Sequence, residues 1–215
     1  MKQRQTWSFL ILLFVSIESF SQKDWTLKTE KNGIKVYTKS FENSPFKAIK
    51  TTFTIDASLT RITAVLLDIK NTGDWVYSTK SAVVLNQISQ SELVYYSEIS
   101  VPWPVSNRDF IVRLKVSQDR ATKAVTVLAD NLPNHLPVYK NIVRIPHSYS
   151  KWVIEPVNAS QVKVEYVLQV DPGGSVPAWL INMFATRGPL ESFIGLRNQV
   201  KKSIYNNVSL PFIKD

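Results

Sequence analysis

Apolar and polar residues alternate along most of this chain, and a period of two residues predicts β-strands. The last such run is the most regular, because Val162, Val164 and Tyr166 face one way while Lys163 and Glu165 face the other. Alternation of this kind is typical of an antiparallel sheet with one face in the core and the other in water. About eight strands are predicted in this way, over residues 34–39, 46–56, 82–85, 92–100, 108–116, 124–129, 143–154 and 161–170.

Two other segments repeat their apolar residues every three or four positions, which predicts amphipathic helices. The first is Leu59–Leu67, preceded by Ser58, a good N-cap residue. The second follows the break at residues 172–174 and runs to about residue 205, with an irregularity at residues 188–189. Residues 25–30 are expected to be a short helical remnant. We predict an α+β fold, in which the long second helix covers the apolar face of a curved sheet.

Residues 101–113 carry the most distinctive run, Val-Pro-Trp-Pro-Val-Ser-Asn-Arg-Asp-Phe-Ile-Val-Arg. Pro102 and Pro104 fix their own φ and hold the residues before them extended. Residues 102–107 are therefore predicted to form a stiff, projecting loop with Trp103 near its tip.

Arg108 begins the strand that follows this loop, and the alternation places it on the apolar face. A guanidinium on such a face needs a polar partner. The two candidates are an oxygen of a ligand headgroup and a carboxylate on the neighbouring strand, either Glu98 or Glu92. Asp109 alternates to the opposite face, where we expect it to point outwards and tie the loop.

The run from Pro102 to Phe110 resembles the loop-and-strand signature of START lipid-transfer domains, especially the phosphatidylcholine-transfer-protein branch. A second run, Asp-Pro-Gly-Gly-Ser-Val-Pro-Ala-Trp-Leu-Ile-Asn at residues 171–182, is similar to the beginning of the C-terminal helix in that branch. The resemblance covers residues 25–204, nearly all of the mature chain. It implies the helix-grip fold, with a hydrophobic cavity between sheet and helix, and it implies lipid binding in that cavity.

The sequence departs from this branch at positions that would hold a phosphocholine group. The branch has an arginine three residues before the tryptophan equivalent to Trp75 and an aspartate directly after it, whereas this sequence has Thr72 and Val76. Ser97 replaces an aromatic residue of the branch, although Phe110 retains another. The departures leave a sterol, a hopanoid, a fatty acid or another weakly polar lipid as alternatives to a phospholipid.

Two groups of residues are expected to form the site. Pro102, Trp103 and Pro104 would form a gate that contacts the membrane, since tryptophan suits the interface between water and lipid. Inward side chains would bind the ligand, namely Arg108, Phe110, Val112, Leu114, Tyr95, Ser97, Ile99, Tyr166, Leu168, Trp179, Asn182 and Met183.

Length and charge add to this picture. The 215 residues suffice for one domain with its own core, and cysteine is absent, so no disulfide is needed or formed. The net charge of +9 comes from scattered Lys and Arg residues, which suit either an ordinary wet surface or attraction to anionic membranes.

A positive start, an apolar run at residues 7–17 and small residues near residue 21 predict a signal peptide. We therefore expect a signal peptide at residues 1–21, a lipid-binding domain at residues 22–215, and export to a periplasm or beyond.

No motif in the sequence indicates catalysis or a cofactor. His135 and His147 are isolated, no metal-ligand spacing occurs, and no nucleophile elbow or phosphate-binding loop is present. The basic residues alternate with apolar ones in the strands, which places them on a wet face rather than in a nucleic-acid groove.

We predict a non-enzymatic monomer with no cofactor, no metal and no nucleic-acid partner, which binds lipid and touches membranes transiently. The alternatives are a polyketide cyclase/aromatase-like enzyme on a related helix-grip scaffold and a ligand-sensing module without transfer activity.

Overall fold

The structure, a computed structural model, describes residues 25–41 and 44–215. The predicted signal peptide at residues 1–21 lies outside the described residues.

Ten strands form one sheet in the described part of the chain, in the order β1-β2-β3-β10-β9-β7-β6-β5-β4, with β8 beside β6. The pairs are antiparallel, except that β8 runs parallel to β6. The sheet does not close into a barrel, since β1 and β4 are its two edges. The strands are β1 (Thr26–Lys31), β2 (Ile34–Phe41), β3 (Ser44–Ile55), β4 (Thr79–Ser89), β5 (Glu92–Ile99), β6 (Asn107–Gln118), β7 (Val125–Asn131), β8 (Ile142–Arg144), β9 (His147–Asn158) and β10 (Gln161–Asp171).

Two α-helices accompany the sheet, α1 (Leu59–Leu67) and α2 (Ala178–Gln199), and short 3-10 helices span Ile69–Asp74 and Ser203–Tyr205. The hydroxyl of Ser58 accepts a hydrogen bond from the backbone N–H of Arg61, so the predicted N-cap of α1 is confirmed. The predicted α+β helix-grip architecture, with a C-terminal helix on an antiparallel sheet, is also confirmed. Neither described helix combines the length and the apolar character that a membrane span requires.

Three elements differ from the sequence prediction. Residues 25–30 were expected to be helical, but Thr26–Lys31 pairs with β2 as an edge strand. The single strand predicted at residues 143–154 is two strands, β8 and β9, because Pro146 has no N–H to donate and interrupts the strand between them. Helix α2 ends at Gln199 instead of near residue 205, and Pro189 lies within it without interrupting it.

The other edge, β4, is irregular. Its register with β5 shifts three times, between Thr79 and Ser81, between Val84 and Asn86, and between Gln87 and Ser89. Several of its apolar side chains are nevertheless exposed, namely Val83, Val84, Leu85 and Ile88.

The hydrophobic core is packed most tightly under the second half of α2. Phe193 stacks on Phe53 with ring centroids 4.7 Å apart. Trp152 meets the ring of Phe193 edge-on, with centroids 5.5 Å apart. Leu196, about one turn further along, and Val200, about two turns further along, are fully buried. In the first half of the helix, over residues 178–187, only Leu180 is buried. The helix therefore covers the sheet closely at one end and loosely at the other.

Gly195 sets the distance between α2 and the chain at Trp75. A Cβ atom at this position would lie 2.8 Å from the backbone oxygen of Trp75 and 3.0 Å from its Cα. Because these are backbone atoms, no side-chain rotation could relieve the contact.

We expect Gly195→Ala to lower the free energy of unfolding by about 1–3 kcal/mol, the usual cost of overpacking. Gly188→Ala is the matched control, because its Cβ would meet only side chains, at 3.6 Å or more. The control should be neutral or stabilising, since alanine favours a helix over glycine by about 0.5–1 kcal/mol. Urea unfolding measures both, and equal effects would contradict a close approach at residue 195.

Candidate functional site

The inner face of β5 and β6 carries most of the residues expected to bind a ligand. Tyr95 pairs with Val112, and Ser97 pairs with Phe110, so these four side chains share one face of the sheet. The same face contains Ile99 and Leu114, and across the sheet Tyr166 and Leu168 of β10. The structure thus brings the predicted strand residues together, which follows from their regular alternation.

Aromatic rings support the two tyrosines on this face. Tyr95 meets Phe110 edge-on with centroids 5.9 Å apart. Tyr166 packs on Trp152 at 4.6 Å and on Phe193 at 5.4 Å. Such contacts hold the rings in place, and their hydroxyl groups with them.

Both tyrosine hydroxyls lie in apolar surroundings. Burial raises the pKa of Tyr166 to about 12, and the hydrogen bond with Ser150 offsets only part of that rise. Burial also raises the pKa of Tyr95, and the nearby Tyr166 adds to the effect. Yet neither side chain is fully covered, since both keep part of their surface accessible.

Arg108 points to the inner face as predicted and is only 5% exposed. Its three nitrogens donate hydrogen bonds to backbone carbonyls. The Nε–H group reaches Pro172 O at 3.4 Å, Nη1 reaches Ser106 O at 2.5 Å, and Nη2 reaches Gly173 O at 3.3 Å. Burial lowers the pKa of this guanidinium, which remains charged at neutral pH because arginine titrates so far above it.

The proposed ion pair of Arg108 with Glu98 or Glu92 is wrong. Glu98 lies on the opposite face of β5, where it accepts hydrogen bonds from Lys80 at 2.9 Å and from the side-chain amide of Asn107 at 2.7 Å. Glu92 pairs with Arg113. Arg108 instead connects two loops, at residues 101–106 and 172–174, through their carbonyl groups.

Asn107 fastens the base of the proline loop. Its Oδ1 accepts a hydrogen bond from the backbone N–H of Val101 at 3.0 Å, while its amide donates to Glu98. Burial alone would raise the pKa of Glu98, but the hydrogen bonds from Lys80 and Asn107 outweigh it and lower that pKa. The ionised carboxylate therefore holds both ends of the loop together.

Asp109 lies opposite Arg108, as alternation predicts, but it is fully buried rather than facing water. Arg144 of β8 covers it, with Nε 2.7 Å from one carboxylate oxygen and Nη2 3.1 Å from the other. The same guanidinium also donates to the carbonyls of Pro133 and Leu136. This ion pair binds residues 132–144 over the outer face of β6, a contact that the sequence analysis missed.

The three residues expected to form the gate lie at the same end of the sheet as Arg108. Trp103 is 91% exposed at the tip of its loop, between Pro102 and Pro104, which are exposed too. In α2, Met183 is partly buried, whereas Trp179 and Asn182 are exposed and do not join the inward group.

A polar groove of about 510 Å³ lies at the opposite end of the sheet, and it is not the predicted hydrophobic compartment. Asp56, Arg61 and Asn158 are among its lining residues. At its rim the carboxylate of Asp215 accepts a hydrogen bond from the N–H of Thr60 at the beginning of α1. Within residues 25–41 and 44–215, no three acidic or histidine side chains are grouped as a metal ion would require.

The contacts of Arg108 predict a structural role that can be measured. Arg108→Met should lower the free energy of unfolding by about 1–3 kcal/mol, because buried carbonyls lose their donors. Amide hydrogen exchange should become faster in residues 101–106 and 172–177. Arg113→Met is the control, since its exposed pair with Glu92 should contribute less than about 1 kcal/mol. Unchanged stability in Arg108→Met would contradict the carbonyl contacts.

The raised pKa of Tyr166 predicts a loss of stability at high pH. In the unfolded chain this hydroxyl ionises near its ordinary pKa of about 10, whereas in the folded chain it stays protonated to about 12. The unfolded state therefore loses its proton first, and Tyr166 contributes a loss of stability between pH 10 and 12.

Urea unfolding at several pH values measures this loss. Tyr166→Phe should show a smaller decline of stability above pH 10 than the wild-type chain. Tyr149→Phe, which alters an exposed tyrosine on the outer face, should decline as the wild-type chain does. Identical slopes in the two variants would contradict burial of the Tyr166 hydroxyl.

Comparisons with known proteins agree with this geometry. An uncharacterised protein of Pseudomonas aeruginosa is 30% identical over 180 residues, which are 84% of this chain and 88% of that protein. The phosphatidylcholine transfer protein of Mus musculus is 28% identical over 170 residues, 77% of this chain and 78% of that protein. The crystal structure of a STAR-related lipid transfer protein fragment from Xanthomonas axonopodis has a TM-score of 0.76 and 31% identity, and the match covers 83% of this chain and 99% of that one.

The sequence model of the START domain matches residues 14–203, nearly the whole chain. Together with the two motifs and the helix-grip architecture, this match identifies the family. The chain belongs to the START domain family.

Proposed function

We propose that this protein binds one water-insoluble lipid between the sheet and the first half of α2, and that it carries this lipid between membranes without chemical change. Membership of the START family supports lipid binding. The names of two similar proteins, a phosphatidylcholine transfer protein and a STAR-related lipid transfer protein, support transfer. The ligand is a phospholipid, a sterol-like lipid or a fatty acyl lipid.

The uneven packing of the interior carries this proposal. Under the second half of α2 the rings of Phe53, Trp152 and Phe193 fill the space. Towards the loops, inner-face residues such as Tyr95 and Phe110 keep accessible surface although they lie among apolar groups. Accessible surface in apolar surroundings is what the wall of an internal compartment should have.

Energetics require such a compartment to be closed and apolar. Exposing a sixteen-carbon acyl chain to water costs roughly 0.8 kcal/mol per methylene, or about 13 kcal/mol in all. A water-filled groove could not offset the free energy lost when the acyl chain leaves a bilayer, whereas an apolar interior could.

Three loops meet at the proposed mouth of the compartment. Arg108 joins residues 101–106 to residues 172–174, and the pairing of Ile142 with Asn107 brings residues 132–141 alongside. Four large apolar side chains are exposed on these loops and on the beginning of α2: Trp103, Trp179, Val138 and Tyr139. Aromatic side chains of this kind suit the lipid–water interface, so this end would contact the membrane.

Export completes the proposal. Residues 1–21 have the pattern of a signal peptide, so the mature protein would act in a periplasm or outside the cell. Removal of residues 1–21 would take away Lys2, Arg4 and Glu18, so the net charge would change from +9 to +8, which would still favour approach to anionic membranes. We expect the carrier to act as a monomer.

Lipid content tests the binding step. Purified protein, examined by native mass spectrometry and by extraction with organic solvent, should contain one lipid per chain. Protein that carries none, and that takes none from vesicles of mixed lipid, would refute the proposal.

The membrane-contact step has its own test. Trp103→Ala should slow lipid transfer between vesicles several-fold while the variant still binds lipid, because Trp103 would insert at the interface. Val157→Ala is the control, since Val157 is exposed at the opposite end of the sheet and should transfer normally. Equal transfer rates in the two variants would exclude Trp103 from membrane contact.

A further inference from the structure

The polar groove at the end of the sheet away from Arg108 is built by three separate segments of the chain. Residues 56–61 lead into α1, residues 158–161 form the turn between β9 and β10, and residues 205–215 follow α2. The match to the family ends at residue 203, so the third segment lies beyond it. The groove is therefore a feature of this chain that membership of the family does not explain.

Hydrogen bonds between these segments fix the walls of the groove. Gln161 donates through Nε2 to Oδ1 of Asp56 at 2.9 Å, which ties the β9–β10 turn to the residues before α1. The backbone N–H of Thr60 donates to Oδ1 of Asp215 at 2.8 Å, which ties the segment after α2 to α1. The polar side chains of the groove are thus held in position before any ligand arrives, which lowers the entropy cost of binding.

The groove side chains keep polar atoms to spare. No hydrogen bond from the described residues engages Oδ2 of Asp56, Oδ2 of Asp215 or Oε1 of Gln161, which remain acceptors. Asn158 uses its Oδ1 to accept the backbone N–H two residues further along at 2.9 Å, and its Nδ2 remains a donor. Arg61 takes part in none of the ion pairs of the described residues, so its guanidinium is a second donor.

This mixture of donors and acceptors selects the chemistry of a ligand. A phosphate or a carboxylate only accepts hydrogen bonds, and it would be repelled by Asp56 and Asp215. An ammonium group only donates, and it would be repelled by Arg61. A hydroxyl group both donates and accepts, so a neutral ligand with many hydroxyls can satisfy all of these side chains. The volume of about 510 Å³ lies within the range of roughly 300–1,000 Å³ that is usual for small-molecule sites.

We propose that this groove binds a short neutral oligosaccharide, whose hydroxyls pair with Asp56, Arg61, Asn158, Gln161 and Asp215. The site goes beyond the proposed function and does not depend on it, since it takes a water-soluble ligand at the other end of the sheet. Binding there would attach the protein to a glycan while the residues of the expected gate stay free. Because the groove is polar and each exposed hydrogen bond contributes little, we expect a dissociation constant of about 1 mM.

Titration with sugars tests the ligand class. The probes are chitotetraose, cellotetraose, maltotetraose and mannotetraose, each added up to about 10 mM to ¹⁵N-labelled protein. At least one should shift the backbone amide signals of residues 56–61, 158–161 and 205–215, and it should leave those of residues 101–106 unchanged. If none of the four shifts the groove signals, the proposal is overturned.

Charged probes test the other ligand classes. Inorganic phosphate stands for an anion, putrescine for a cation and glycylglycine for a zwitterion. We expect each of them to bind at least ten-fold more weakly than the best tetrasaccharide, because each lacks the hydroxyls that both donate and accept. Tighter binding of any charged probe at the groove would overturn the proposal in favour of that class.

Removing the charged side chains of the groove tests the residues. The double variant Asp56→Ala and Arg61→Ala should weaken binding of the best tetrasaccharide at least five-fold, because hydrogen bonds to charged groups are the stronger ones. Glu30→Ala with Lys35→Ala is the matched control, since it removes an exposed acid and an exposed base outside the groove. The control should bind as the wild-type chain does, and unchanged binding in the groove variant would overturn the proposal.

Two further measurements separate this site from the lipid carrier. Urea unfolding should show that both double variants fold, and lipid transfer between vesicles should proceed in both at the wild-type rate. A wild-type chain that binds sugar but carries no lipid would refute the proposed function and leave the groove site intact.

Discussion

Burial of one apolar sheet face under a single helix is the constraint on which this structure depends. Helix α2 satisfies it unevenly, because Gly195 lets the helix touch the chain at Trp75 while the first half remains loosely packed. The ring of Phe193 anchors the tight end against Phe53. An interior that is solid at one end and less filled at the other follows directly from this geometry.

Arg108 supplies the complementary constraint at the loose end. Its guanidinium is buried, and all three of its nitrogens donate hydrogen bonds to backbone carbonyls. Partial charges on carbonyl oxygens stabilise a guanidinium less than a carboxylate does. Hydrogen bonds to these carbonyls are nevertheless directional, so they hold the loops at residues 101–106 and 172–174 in one relative position. The buried charge of Arg108 therefore has a structural role at this end of the sheet, because it holds the two loops to β6.

The sequence predicted the faces of the strands better than their partners. Period-two alternation correctly placed Arg108 inwards and Asp109 on the opposite face, because the direction of a side chain in a strand is a local property. Arg108 is bound by carbonyls, and Asp109 by a guanidinium, that come from distant segments of the chain. No local sequence pattern could predict these contacts. Residues 25–30 were misjudged for the same reason, since a short polar segment becomes a strand only when β2 is available beside it.

Similar reasoning applies to the candidate site. The inward positions of Tyr95, Phe110 and Tyr166 could be predicted from alternation, and the family resemblance indicated which face mattered. The rings that support Tyr166 could not be predicted, because Trp152 and Phe193 come from other segments of the chain. The neighbours of a side chain on an adjacent strand cannot be predicted until the register between the strands is known.

The irregular edge strand β4 has a consequence for the behaviour of the protein at high concentration. The side chains of Val83, Val84, Leu85 and Ile88 are exposed on this strand. If the strand were straight, its free edge could pair with the edge strand of another copy. Each of the three shifts in register instead interrupts the regular spacing of donors and acceptors along that edge. These interruptions make the edge a poorer template for pairing with a second copy, although its apolar side chains stay in water.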